Sequence, residues 1–331
     1  MNPVKVNTVT GPITPEEMGI TLPHEHIMYG YPGWQADQTV YPLDRRAVVH
    51  RMVGILEELK TFGLKTHVDA TPADQGRDPE IYKEISEKAG VHIICSTGLY
   101  NETQGGSAYW KFRSMLGDIS NELYELFLKE ISVGIRGTGI KAGCIKVASS
   151  HGSITDYENK VFQAAARVHR ETGVPIITHT EEGTMGPEQA ELLTNAGVDP
   201  RRIQIGHMSN STDMRYQLAV LDKGVFGAFD RMGIEVIAGC PYEREKMPVL
   251  IGLIRSGRVH QLMLSHDFIA TWLGRPLPVN PADLPFLANW YPTHVFKNVI
   301  PALKAAGVTD AEIRTITVDN PRRLFGGASN D

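Results

Sequence analysis

The sequence predicts an α/β protein built as a (β/α)8 TIM barrel. Three observations predict it: eight short β-rich runs recur along the chain, amphipathic helical patterns lie between them, and most of the runs are continuously apolar rather than alternating. That is the pattern of a parallel sheet whose outer face is covered by helices. A doubly wound open sheet is the second reading. The chain has 331 residues, a length at which α/β barrels form one domain. No composition shift, low-complexity tract or charge block marks a boundary, so residues 1–331 read as a single barrel domain.

Residues 5–13, with Gly11-Pro12 at their turn, predict a short N-terminal hairpin over the barrel floor. The eight strands are expected at 20–23, 65–70, 92–96, 143–148, 175–179, 203–206, 225–229 and 261–265, and amphipathic helices at 45–61, 79–88, 121–134, 156–172, 187–196 and 247–255. Asp78-Pro79-Glu80 supplies a capping side chain, a proline at the first helical position and an acid in the first turn. Thr309 and Glu312 have the spacing of a capping box. The longest segments follow strands one, three and eight, at 27–43, 101–114 and 268–290. In a barrel such loops form the catalytic face, so their length predicts a built-up substrate pocket.

The composition narrows the function. Lys+Arg number 33 against 38 Asp+Glu, a net charge of −5, which gives no field to attract nucleic acid or an anionic membrane. Cys95, Cys144 and Cys240 are widely spaced and odd in number, against both a disulfide framework and a thiolate zinc knuckle. With no basic, apolar leader and no long apolar run, the expected location is cytoplasmic. The unusual feature is the twelve histidines.

Strand one ends in His24-Glu25-His26. Alternation puts the two imidazoles on one face, about 7 Å of chain apart, with Glu25 facing the other way. Such a pair can chelate one divalent ion, although alone it is equally compatible with a structural role. Strand five ends at His179, strand six at His207, and strand eight runs into His266-Asp267. Structural histidines have no reason to collect at the ends of successive barrel strands, whereas ligands do. Strand four contributes Lys146 inside an apolar run. An ammonium beside cations is repelled, so this lysine fits if CO2 converts its amine to a carbamate anion. The competing reading is a Schiff-base lyase acting through Lys146. His266 would face away from the rim and reads as structural; His50, His67, His92, His151, His169, His260 and His294 read as surface or satisfied core.

With these residues in hand, the chain resembles the phosphotriesterase family of the amidohydrolase superfamily. The resemblance runs through Val9-Thr-Gly-Pro-Ile13, Thr21-Leu-Pro-His-Glu-His26, Gly143-x-x-Lys146, Pro175-Ile-Ile-Thr-His179, Ile205-Gly-His207, Ser265-His-Asp267 and Asn320-Pro-Arg-Arg-Leu-Phe325. It is closest to the phosphotriesterase-like lactonases: Arg231 stands where the organophosphate hydrolases have histidine, Ser265-His-Asp267 where they have Ser-Asn-Asp, and Tyr100 resembles a pocket tyrosine of lactonases. The chain departs from the family at Asn210, where an acid linked to the catalytic aspartate is usual.

The resemblance implies two divalent transition metal ions, with Zn expected and Mn, Fe or Co compatible. It implies that His24, His26 and Asp267 hold one ion, that His179 and His207 hold the second, and that carbamylated Lys146 and a hydroxide bridge them. Asp267 would then move the proton of the attacking water to the leaving group. Tyr100 and Arg231 are expected to steer a carbonyl oxygen, against the plainer readings of an amphipathic ring and of an arginine paired with Asp230 or another acid. Phe268, Trp272 and Trp290, on the apolar, proline-stiffened loop after strand eight, are expected to line the substrate pocket opposite Met28, Tyr29, Tyr31 and Trp34. Such walls suit an acyl, aryl or alkyl group; the equal alternative is that the apolar loop packs on itself or forms a dimer contact. The expected function is hydrolysis of lactones or carboxylic esters with promiscuous organophosphate turnover, by a homodimer. A phosphotriesterase or amidase on the same site, and a non-catalytic binding protein, are the alternatives.

Overall fold

In the computed structural model, which describes residues 4–327, β1 (Val6–Thr8) and β2 (Gly11–Ile13) form the expected antiparallel hairpin. The outermost ends of the 1–331 span lie outside the described residues. The hairpin is anchored by Val9 N donating to Ile93 O (2.9 Å) and Asn7 Nδ2 donating to Ala142 O (3.0 Å).

All eight predicted strands are present. They are β3 (Ile20–Tyr29), β4 (Leu64–Asp69), β5 (His92–Gly98), β6 (Cys144–Ser149), β7 (Ile176–Thr180), β8 (Ile203–Ile205), β9 (Phe226–Phe229) and an eighth split into β10 (Leu262–Leu264) and β11 (Ile269–Trp272). The sheet is parallel and runs in the order β10-β9-β8-β7-β6-β5-β4-β3-β11, so the curled sheet with its surrounding helices is a (β/α)8 barrel. The lower half of the eighth strand pairs with β9 and the upper half with β3. Residues 265–268 hand the pairing across: Ser265 N donates to Phe229 O (3.2 Å), Asp267 N to His24 O (3.2 Å), and His26 N to Phe268 O (2.9 Å). Asp267 turns there with φ +54°, a left-handed conformation that non-glycine residues seldom adopt.

The first strand is longer than the sequence suggests. Met28 and Tyr29, expected on a loop, are strand residues, and Met28 is fully buried. Helices α1 (Arg45–Thr61), α2 (Pro79–Ala89), α4 (Ser120–Ser132), α5 (Asp156–Thr172), α6 (Gly186–Asn195) and α8 (Glu243–Arg255) fall where the apolar periodicity puts them; α3 (Ala108–Leu116) and α7 (Met214–Leu221) were not foreseen. Asp78 caps α2 through Glu80 N and Ile81 N, and Thr309 with Glu312 forms the capping box of α10 (Asp310–Arg314), which follows α9 (Ile300–Ala305).

The apolar interior has two layers. One fills the barrel with Val68, Ile94, Ile177, Ala228 and Met263, and the other packs between sheet and helices. α11 (Asn320–Gly326) drives Leu324 and Phe325 into the barrel layer, sealing the floor opposite the histidine rim. Among the described residues no helix is long and apolar enough to cross a membrane.

Candidate metal centre and substrate cavity

The structure brings His24 and His26 of β3, Lys146 of β6, His179 near the end of β7, His207 just after β8 and Asp267 in the break in the eighth strand together, all buried. One ring nitrogen of each histidine is tied from outside the cluster. His24 Nδ1 lies 2.6 Å from Asp230 Oδ2, His207 Nδ1 3.0 Å from Asp230 Oδ1, and His179 Nε2 2.7 Å from Glu181 Oε2. His26 Nδ1 lies 2.7 Å from the Thr71 hydroxyl, which itself donates to Met28 O (3.1 Å) and so accepts from the histidine. These acceptors place the hydrogens outward. The opposite nitrogens, His24 Nε2, His26 Nε2, His207 Nε2 and His179 Nδ1, therefore present lone pairs to the centre.

This arrangement fits cations. His207 Nε2 and His179 Nδ1 face each other at 2.8 Å, two lone pairs with nothing to share between them except a positive charge. Asp267 Oδ1 lies 3.0 Å from His26 Nε2 and 3.5 Å from His24 Nε2, and ligand atoms of His24, His207 and Asp267 all fall within 4.8 Å of one another. Burial holds His24 and His207 below the ordinary histidine range and takes His179 down to about 4, so these three imidazoles are neutral, as ligands must be. Burial opposes ionisation of Asp230 and Asp267. His207 and His24 beside Asp230, and His207 and Arg231 beside Asp267, nevertheless hold both carboxyls below their usual range.

Lys146 is the least expected member. Its ammonium is buried, with His24 Nε2 at 2.6 Å and Thr178 O at 3.3 Å as its hydrogen-bond partners and, among the described residues, no carboxylate in direct contact. Burial lowers it to about 8, which raises the fraction present as free amine, the form that adds CO2.

His207 and Asp267 both have positive φ, as do Val236 and Ala238 in the loop after β9. Strain of this kind concentrates where a site over-determines its backbone. A cavity of about 470 Å³ opens above the cluster, lined by Tyr29, Tyr100, Arg231, Trp272, Leu287 and Trp290 among others. Tyr100 donates to Gln104 Oε1 (3.1 Å), and its hydroxyl oxygen lies 3.5 Å from both ring nitrogens of His179. Arg231 pairs through Nε with Asp267 Oδ2 (2.9 Å); Asp230, the other acid considered for it, is taken by the histidines.

Two expectations need correction. Phe268 does not line the cavity: with Asp267 left-handed, its ring is carried onto Trp290 (centroids 5.5 Å apart), and Ile269 and Trp272 form the wall instead. His67 is buried but not satisfied, since neither ring nitrogen has a hydrogen-bond partner among the described residues. Asn210 donates to Ala238 O (2.8 Å) and accepts from the Cys240 thiol (3.3 Å), so its bonds lead away from Asp267. His266 is structural as expected, bonded to Glu25.

Sequence reasoning missed Asp230, Glu181 and Thr71. Asp230 follows β9 at the same rim, and Glu181 stands two residues after His179, on the same face by alternation, so the rule that found the histidines applied to both. Thr71 carries no such mark.

A parallel barrel with this cluster at its C-terminal rim defines a barrel hydrolase built around a metal-binding centre. The chain belongs to the phosphotriesterase family, whose model matches residues 4–325. An aryldialkylphosphatase of Saccharolobus solfataricus is 33% identical over 317 residues, covering 95% of this chain and 96% of its own. Among solved structures, the organophosphorus hydrolase of Deinococcus radiodurans is 48% identical with a TM-score of 0.96, covering 98% of this chain and 97% of that one. A mutant of a phosphotriesterase-like lactonase from the same organism is 47% identical with a TM-score of 0.95, covering 97% of this chain and all of that one.

Proposed function

We propose that this hydrolase opens lactones and related carboxylic esters at a binuclear metal centre. His24, His26 and Asp267 would hold one ion and His179 and His207 the other, with carbamylated Lys146 shared between them. Two divalent ions, zinc in the first instance, would polarise the carbonyl and make hydroxide available at neutral pH. The observation that carries the reading is the inward set of lone pairs, fixed by Asp230, Thr71 and Glu181, around a buried lysine in contact with no carboxylate among the described residues.

The protein's own groups do the rest. Tyr100 and Arg231, both lining the cavity, offer donors to the substrate oxygen. Asp267, ionised and bonded to Arg231, accepts the proton of the attacking water and returns it to the leaving alkoxide. Trp272, Leu287 and Trp290 exclude water around an apolar acyl chain. Phosphotriester hydrolysis is the second reading, favoured by the named activities of the Saccharolobus relative and of the Deinococcus structure.

A panel of a γ-lactone, a δ-lactone, an aryl phosphotriester and an N-acyl amide, run on metal-reconstituted protein, tests the order. The lactones should lead in kcat/KM by more than about tenfold, some 1.4 kcal/mol of transition-state preference; a smaller lead refutes the lactone assignment. A homodimer belongs to the same proposal: α3 exposes Tyr109, Phe112, Met115 and Leu116, an apolar face a second copy could cover, and sedimentation velocity would show it.

A further inference from the structure

We propose that Glu25, lying between the two histidines of β3, is a positioning residue that sets Asp267 and the Trp290 wall of the cavity from behind the sheet. The inference rests on the metal-centre reading above.

Alternation turns Glu25 away from the centre, yet its carboxylate is fully engaged. Oε1 accepts from Ser265 Oγ (2.7 Å), His266 N (2.8 Å) and His266 Nδ1 (2.7 Å), and Oε2 accepts from Phe268 N (2.8 Å). The carboxylate is buried, and all four donors come from residues 265–268, the stretch that splits the eighth strand. Within that stretch Asp267 holds its disfavoured φ of +54°. Its backbone neighbours on both sides, His266 N and Phe268 N, are clamped by the one carboxylate. The geometry of Asp267 relative to His24 and His26 is thus fixed by the residue that separates those histidines in sequence.

The same carboxylate reaches the substrate wall. His266 Nε2 accepts from Val295 N (3.0 Å), so Nδ1 carries the hydrogen that it gives to Glu25. The His266 carbonyl accepts from the Trp290 indole (3.1 Å), and Trp290 lines the cavity. A continuous path therefore runs from Glu25 through His266 to Trp290. A glutamine at position 25 has the same shape but one oxygen and an NH2 group, and so confronts N–H donors with further N–H bonds.

The test uses the full chain loaded with cobalt(II), read by its visible absorption, by the half-time of cobalt loss to a chelator, and by KM for a lactone. Glu25→Gln should shift the cobalt bands, shorten the half-time more than threefold and raise KM. Trp290→Phe, which removes only the indole end of the path, should raise KM with the half-time unchanged. Leu253→Ala, in the fully buried core of α8, supplies a general loss of thermal stability and should leave spectrum and half-time as in the wild type. If Glu25→Gln does not fold, Ser265→Ala, which removes one bond and keeps the charge, takes its place with the same criteria. The proposal is overturned if the Glu25 or Ser265 variant keeps the wild-type spectrum with less than a threefold change in half-time, or if Leu253→Ala moves both as far. Failure of the wild type itself to hold cobalt would instead refute the metal centre.

Discussion

Asp230→Asn is the most informative substitution outside the ligands. The carboxylate accepts from His24 Nδ1 (2.6 Å), His207 Nδ1 (3.0 Å) and His207 N (2.8 Å), and in the proposed centre those two histidines serve different ions. The amide keeps one acceptor and turns an NH2 group toward at least one ring. That ring must then flip tautomer, moving its hydrogen to Nε2 and removing the lone pair aimed at the metal. Loss of such an outer partner costs about 10–100-fold in metal affinity, or about 1.4–2.8 kcal/mol. Because the amide oxygen still accepts from the other ring, the larger loss should fall on the ion whose histidine flips, and loading of the pair should fall with it. Competition against a chromophoric chelator at neutral pH, fitted to two sites, measures both constants, with thermal melting of the metal-free protein as the folding control. Two affinities within threefold of the wild type would refute the reasoning.

Further outcomes follow from the same geometry. Burial pushes the Asp74 carboxyl up to about 7, so the folded protein keeps a proton that the unfolded chain releases near pH 4. Stability should therefore decline as pH rises from about 4 to about 7 and then level off. Asp74→Asn should melt higher than the wild type at pH 8, by about 1–2 kcal/mol because the residue is partly exposed, and almost level with it at pH 4; equal gains at both would contradict this. Tyr100→Phe should raise KM about fivefold, the worth of one hydrogen bond of about 1 kcal/mol, with metal content unchanged; loss of metal would show a different role. Trp272→Ala should raise lactone KM by about 10- to 100-fold, having removed an indole worth roughly 1.5–3 kcal/mol of burial. Phe268→Leu should stay within about twofold, and an effect equal to that of Trp272→Ala would restore Phe268 to the cavity.

Much of the fold and most of the cluster could be read from residue order. Solid apolar runs separated by amphipathic helices specify a parallel sheet covered outside, and the barrel then forces every strand end to one rim. That is why His179 and His207, far apart in sequence, could be placed beside His24 and His26. What escaped was contingent on local backbone. The eighth strand breaks at 265–268 because its two halves pair with different neighbours, and apolar patterning does not reveal a change of pairing partner. Phe268 was misplaced for that reason, and the function of Glu25 was invisible although its outward direction was clear. Met28 and Tyr29 were misplaced because β3 continues past its histidines to pair with β11. Asp230 looked like a partner for the adjacent Arg231; its engagement by two imidazoles depends on how closely the ends of β3, β8 and β9 converge, which spacing in sequence does not encode. His67 shows the reverse case, an ordinary strand residue whose burial without a bonding partner no pattern announces.

Lys146, as a carbamate, would complete the proposed site for two divalent ions. The direct measurement is metal stoichiometry of the purified protein after reconstitution with zinc and bicarbonate, set against Lys146→Ala treated identically and then supplied with a short-chain carboxylic acid. The wild type should hold about two equivalents, and the variant should lose metal and activity and regain part of both with the added acid. A wild type holding less than one equivalent, or a Lys146→Ala protein that binds and hydrolyses as the wild type does, would contradict this.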